Sequence, residues 1–173
     1  MQPEYSISMK GVNDYNRQKA VKYAYEFAYK RNPVFTDFSD MGGNCTNFVN
    51  QCLLAGGMTM NFNYPFGWFY KSINSRSPSF RGVEYLYNFL TRLDYTKGPF
   101  AKVIELKDTQ IGDIIQFRQD QPKFTHSLII TKLNEFDYDN PFVTTNTSDV
   151  ADKPLKDYYF NECRCLGVVG GRK

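Results

Sequence analysis

"GGNCTNFVNQCLLAGG", residues 42–57, decides the fold. Two glycines open it, a short amphipathic run follows, and two more glycines close it. Gly42-Gly43-Asn44 break the chain into a turn and let the backbone approach a ligand closely. The spacing therefore predicts a helix over residues 45–55 with Cys45 in its first turn. Unpaired N–H groups and the positive end of the dipole at a helix N-terminus favour a thiolate, the reactive form of cysteine. The same N–H groups can hold the oxyanion of an acyl-transfer intermediate. The placement suits a nucleophile, although buried structural cysteines are common too. Cys52 shares a helix face with Cys45, Phe48 and Val49 and reads as core packing. Asn47 and Gln51 read as the polar face of a surface helix or as site-lining groups.

Outward from this stretch, "YNRQKAVKYAYEFAYKRNP" places Ala20, Tyr23, Ala24, Phe27 and Ala28 at helical spacing. A helix is expected over 14–31, stopped at Asn32-Pro33. "VFTDFSDMGGN" is a loop. The segment at 58–79, "MTMNFNYPFGWFYKSINSRSPS", is aromatic, irregular and Gly/Pro-punctuated, a cleft-lining loop. Within it the stretch from Tyr64 to Tyr70, with Trp68, is the candidate substrate wall. "FRGVEYLYNFLTRLDY" returns to helical spacing through Val83, Leu86, Tyr87 and Leu90.

After Gly98-Pro99 the texture changes to short β-prone runs: "KVIEL", "GDIIQF", "HSLIITKL", "PFVTTNT" and "CRCLGVV". "DVADKP", 149–154, reads as a turn. Helices first and strands later indicate a single α+β domain over residues 1–173, its N-terminal helices packed on a C-terminal antiparallel sheet.

His126 is the one histidine of the sequence, so any Cys–His chemistry must use it. It opens an apolar strand after a polar loop, where a base can meet a helix N-terminus. Cysteine first and strand-leading histidine later is the chain order of papain-like enzymes.

These residues carry a resemblance. "GGNCTNFVNQCLLAGG", with "YNRQKAVKYAYEFAYKRNPVF" before it and "GDIIQF", "HSLIIT", "TNTSD" and "KPL" after it, resembles the putative amidase domain family of Gram-positive bacteria. The likeness covers roughly 14–160 and extends to the CHAP and NlpC-type cysteine peptidases. It implies a papain-like α+β fold, a nucleophile at Cys45 with a base at His126, and hydrolysis of an amide bond in peptidoglycan. A Cys–His peptidase, deamidase or transglutaminase acting on protein is the alternative. Asn44 would assist the oxyanion or simply serve the turn. Where relatives read H-T-x-D after the histidine strand, this chain reads Asn146-Thr147-Ser148-Asp149.

Asn146 and Asp149 thus compete to orient His126. Leu128 and Ile130 share the face of His126. A hairpin register pairing Leu128 with Thr144 and Ile130 with Phe142 would pair His126 with Asn146, about 5 Å apart. Charge alone would favour Asp149, but that geometry favours Asn146, which is expected to orient His126 beside Cys45 in the catalytic group.

Composition bounds the partners. A net charge of +3, with no dense basic run, offers no nucleic-acid arm but suits an anionic polymer such as a bacterial wall. The aromatic share of 17% favours a substrate carrying sugar or peptide, although most such rings fill core and rim. The four cysteines form no C-x-x-C pair, so no structural metal is expected, and the proposed chemistry needs no cofactor. No run is long and apolar enough to insert in a membrane. The opening residues lack an apolar h-region, so a mature form, an excised domain or phage-type release is expected for an enzyme acting on the wall outside the membrane. The sequence sets no oligomeric state.

Overall fold

The computed structural model describes residues 10–173; residues 1–9, part of the stretch read as lacking a leader, lie outside the described residues. Helix α1, Arg17–Phe27, starts where the Asn16 side chain accepts a hydrogen bond from the Lys19 N–H at 2.9 Å. It is shorter at both ends than the expected 14–31: the Asn16 cap sets its start, and residues 28–30 bend away before Asn32-Pro33. Helix α2, Cys45–Ala55, has the expected bounds, and α3, Val83–Leu90, occupies the centre of its predicted segment.

Eight strands follow among the described residues: β1 Tyr70–Ser72, β2 Ser75–Arg76, β3 Gly98–Ile104, β4 Ile114–Arg118, β5 His126–Lys132, β6 Phe142–Thr145, β7 Val150–Pro154 and β8 Glu162–Arg172. The first two form a small hairpin; the other six form one antiparallel sheet in the order β3-β8-β4-β5-β6-β7. The architecture is therefore α+β, as expected.

Strand alternation gives the sheet two buried faces. Ile114, Ile129, Leu166 and Val168 pack in one core with Ala20, Ala24, Phe48, Val49 and Cys52 of α1 and α2. Ile115, Phe117, Leu128, Ile130, Val143 and Cys165 face the other way, under Leu155, Tyr158 and Phe160. Strand β7 corrects the reading of "DVADKP" as a turn. Its residues have weak β-propensity, but pairing with β6 overrides that. The irregularity is absorbed where Asp149 and Asp152 take φ values of 49° and 52°.

Helix α2 is enclosed on all sides, with every residue from Cys45 to Leu53 buried. Asn47 and Gln51 therefore do not form a surface face. Asn47 Nδ2 donates to the Thr36 carbonyl at 3.0 Å, and Gln51 Oε1 accepts from the Tyr23 hydroxyl at 2.6 Å. Asn50 accepts from the Trp68 indole N–H at 2.6 Å and donates to the Ser79 carbonyl at 2.9 Å. Most buried polar groups need partners in place; Trp68 and Ser79 tie α2 to the 58–79 segment, and Thr36 and Tyr23 tie it to the chain before it. At Gly67 that segment folds so tightly that a Cβ would collide with the carbonyl oxygens of Asn61 and Asn63.

Candidate active site

Cys45 is the first residue of α2, and the loop before it depends on glycine: Gly42 and Gly43 have φ values of 99° and 107°. Asn44 stands at the N-cap position, but its side chain does not cap the helix. Instead its Oδ1 accepts from the Phe38 N–H at 3.1 Å and from Asn47 Nδ2 at 2.8 Å. With the oxygen so engaged, Asn44 Nδ2 points to Asn146 Oδ1 at 3.0 Å. The side chain thus braces the loop and leaves the first N–H groups of α2 without a side-chain acceptor. The Cys45 thiol lies beside them, 3.8 Å from the Thr46 hydroxyl and 4.0 Å from the Thr125 carbonyl oxygen. Thr46 in turn meets Ser127 at 3.1 Å, which pins the helix start to the beginning of β5.

His126 opens β5, directly after the carbonyl that borders the thiol. It pairs with Phe117 on β4, and its ring rests on the Phe117 ring with centroids 4.7 Å apart. Among the described residues the imidazole forms no hydrogen bond, including none to Cys45. Burial lowers its pKa below the ordinary 6.5, so the ring is neutral at pH 7 and able to accept a proton. Two consequences have the same sign. The acid limb of any activity that uses His126 as base should lie below pH 6.5. Stability should also fall as pH drops through 6.5, because the unfolded chain takes up the proton first and the folded chain only at lower pH. His126→Gln should flatten that part of a melting-temperature profile between pH 7 and pH 5; an unchanged slope would assign it to carboxylates.

The register that would have paired His126 with Asn146 does not form. Ile129 pairs with Thr144 and Ile130 with Val143, one residue out of step with the expected Leu128–Thr144 pairing. One step in an antiparallel ladder turns every side chain to the other face. Asn146 therefore follows Thr144 toward α2 and meets Asn44, while His126 follows Leu128 and Ile130 onto the Phe117 face. Strand β6 also ends at Thr145, before the level of His126. Asp149 is committed elsewhere, in a 2.8 Å ion pair with Arg31 at the surface.

Losing Asn146 strands a buried donor of Asn44, which costs about 1–3 kcal/mol. Losing the exposed Asp149–Arg31 pair costs about 0–1 kcal/mol. Asn146→Ala should therefore melt several degrees lower than wild type. Asp149→Asn, which keeps a residue tolerant of positive φ, should melt close to it. Equal losses in thermal denaturation would count against the Asn44–Asn146 brace.

Trp68 and Tyr70 require correction as substrate wall. Trp68 is fully buried and packs on Phe80 and Phe89; Tyr70 stacks on Phe35 and Phe80, with its hydroxyl accepting from the Thr36 N–H at 2.8 Å. Their ring edges complete the core around α2 and cannot touch a substrate. The exposed rings of the same segment are Phe62, Tyr64 and Phe66. Ser127 and Phe117 at the site went unread, since a serine and a phenylalanine within strands carry no distinguishing signal. Cys52 sits under the site as expected, and burial raises its thiol pKa far above normal, leaving it inert.

The putative amidase domain family matches this chain over residues 14–165. YhbB, an uncharacterized protein of Bacillus subtilis strain 168, is 33% identical over 140 residues, covering 78% of this chain and 42% of YhbB. The chain thus spans less than half the length of that relative. No solved structure matches the chain.

Proposed function

This chain belongs to the putative amidase domain family, and from that premise we propose that it is a papain-like cysteine hydrolase whose nucleophile is Cys45 and whose base is His126. The observation that carries the reading is the uncapped start of α2. The thiol lies there beside open N–H groups and 4.0 Å from the carbonyl that precedes the strand-leading histidine. The proposed step requires the imidazole to leave the Phe117 face, where it forms no hydrogen bond with the thiol. It then takes the thiol proton, and the thiolate attacks the amide carbonyl carbon. The N–H groups at the start of α2 hold the oxyanion. The imidazolium returns the proton to the leaving amine, and the acyl group stays on Cys45 as a thioester. Water, giving its proton to His126, then releases the acid and regenerates the thiol. Asn44 and Asn146 serve as positioning residues that keep the loop before Cys45 in place.

The substrate in this proposal is peptidoglycan, which the sequence resemblance implies and to which, as an anionic wall, a net charge of +3 is suited. The test is incubation with purified sacculi and, separately, with unfolded casein, followed by mass spectrometry of the released fragments. New amine and carboxyl ends from sacculi, absent with Cys45→Ser, support the reading. Fragments, deamidated side chains or cross-links from casein alone would move the enzyme to protein substrates. Release that persists with Cys45→Ser would remove the cysteine mechanism.

A further inference from the structure

Beside the loop that leads to Cys45 lies a cavity of about 470 Å³ lined by Arg76, Ser77, Pro78, Arg81, Gly82 and Tyr85. Both guanidinium groups lie 4.8 Å from the centre of one ring, that of Phe38. Phe38 belongs to the nucleophile loop: its N–H is held by Asn44, and its carbonyl accepts from Gly43 at 3.1 Å. Arg81 also reaches Gly42, where an added Cβ would lie 3.4 Å from its Nη2.

Five other arginines are neutralised. Arg17, Arg31, Arg92, Arg118 and Arg164 each pair with a carboxylate. Among the described residues, the guanidinium groups of Arg76 and Arg81 have neither an ion-pair nor a hydrogen-bond partner. Two unneutralised guanidinium groups lining one cavity make it electropositive, and an anion bound there relieves that cost. The planar fork of each matches a carboxylate.

We infer that this groove is a specificity subsite that binds a carboxylate of the substrate. The inference rests on the amide-hydrolase reading, which makes a peptide carboxylate the relevant anion. Gly42 is three residues from Cys45, a span of at most about 11 Å. The recognised carboxylate therefore lies within about three residues of the amide that is cleaved. Tyr85, exposed and stacked on Phe66 at 6.3 Å, forms the outer wall.

The test measures binding without turnover, by titrating full-length Cys45→Ser protein with N-acetyl-Ala-Glu amide and its neutral isostere N-acetyl-Ala-Gln amide under calorimetry or NMR. The Glu peptide should bind at least tenfold more tightly, and 0.5 M NaCl should erode most of that preference. Arg76→Gln and Arg81→Gln should each reduce the preference severalfold, and the double variant should abolish it. Equal binding of the two peptides to the Arg-intact protein, or a preference that survives the double substitution, overturns the subsite. Should the double variant fail to fold, the Glu/Gln comparison and its salt dependence in the Arg-intact protein decide the matter. The subsite and the hydrolase reading fail separately: a lost preference beside intact hydrolysis removes only the subsite, and an intact preference in a protein that cleaves no amide removes only the hydrolase.

Discussion

Cys45→Ser is expected to fold like the wild type and to lose on the order of 10⁴-fold or more in turnover. The substitution exchanges one atom, and the sulfur it removes makes only weak contacts, at 3.8 and 4.0 Å, with Thr46 and Thr125. The brace around the loop runs through Asn44, Asn47, Phe38 and Asn146 and does not involve the thiol. Stability should therefore change by less than about 1 kcal/mol, as for other conservative changes away from strained or networked groups. What disappears is the readily ionised group. A cysteine can supply a thiolate nucleophile at neutral pH, and a serine hydroxyl does not ionise there. The rate of fragment release, measured beside a melting curve, checks both halves. A variant that retains a tenth of the activity would end the covalent mechanism.

His126→Ala is expected to be nearly as damaging at pH 7, and the double variant with Cys45→Ser no worse than either alone, because members of one catalytic unit are non-additive. The distinguishing measurement is the pH profile. Without its base, the enzyme must rely on solvent to remove the thiol proton, so activity should recover partly as the pH is raised. A merely structural role for the ring on Phe117 would lower activity at every pH alike. The absence of alkaline recovery, with the variant folded, would therefore remove His126 as the base. Since the imidazole forms no hydrogen bond among the described residues, the variant loses only its packing on Phe117, and its fold should persist.

Much of the site is local and could be read in order along the chain. Positive φ at Gly42 and Gly43 is a demand on single residues, and it marks where α2 must begin. The 45–55 helix and the strand opened by His126 came out at their expected bounds or within a residue of them. Helix α1 came out shorter, since an Asn16 cap competes with helical spacing that continues on both sides. Its composition marks the aromatic segment as unusual, but no local pattern tells which of its rings face outward. Trp68 packs in the core, and Asn50 satisfies its buried indole N–H, a contact across 18 positions that no local pattern announces.

What the sequence determined by itself is the set of local pieces and their chemistry: a helix led by Cys45, a strand led by His126, and helices followed by an antiparallel sheet. These depend on backbone freedom at glycine and on apolar periodicity, both encoded within a few residues. The tertiary structure decided how those pieces face one another. A one-residue register step sent Asn146 to Asn44 and His126 to Phe117, and pairing with β6 made a strand of β7 despite its weak propensity. Phe38 gathered Arg76 and Arg81 beside the nucleophile loop. Each outcome is set by contacts between distant segments. Strand alternation has a period of two, so the smallest change in such pairing reverses which side chains meet.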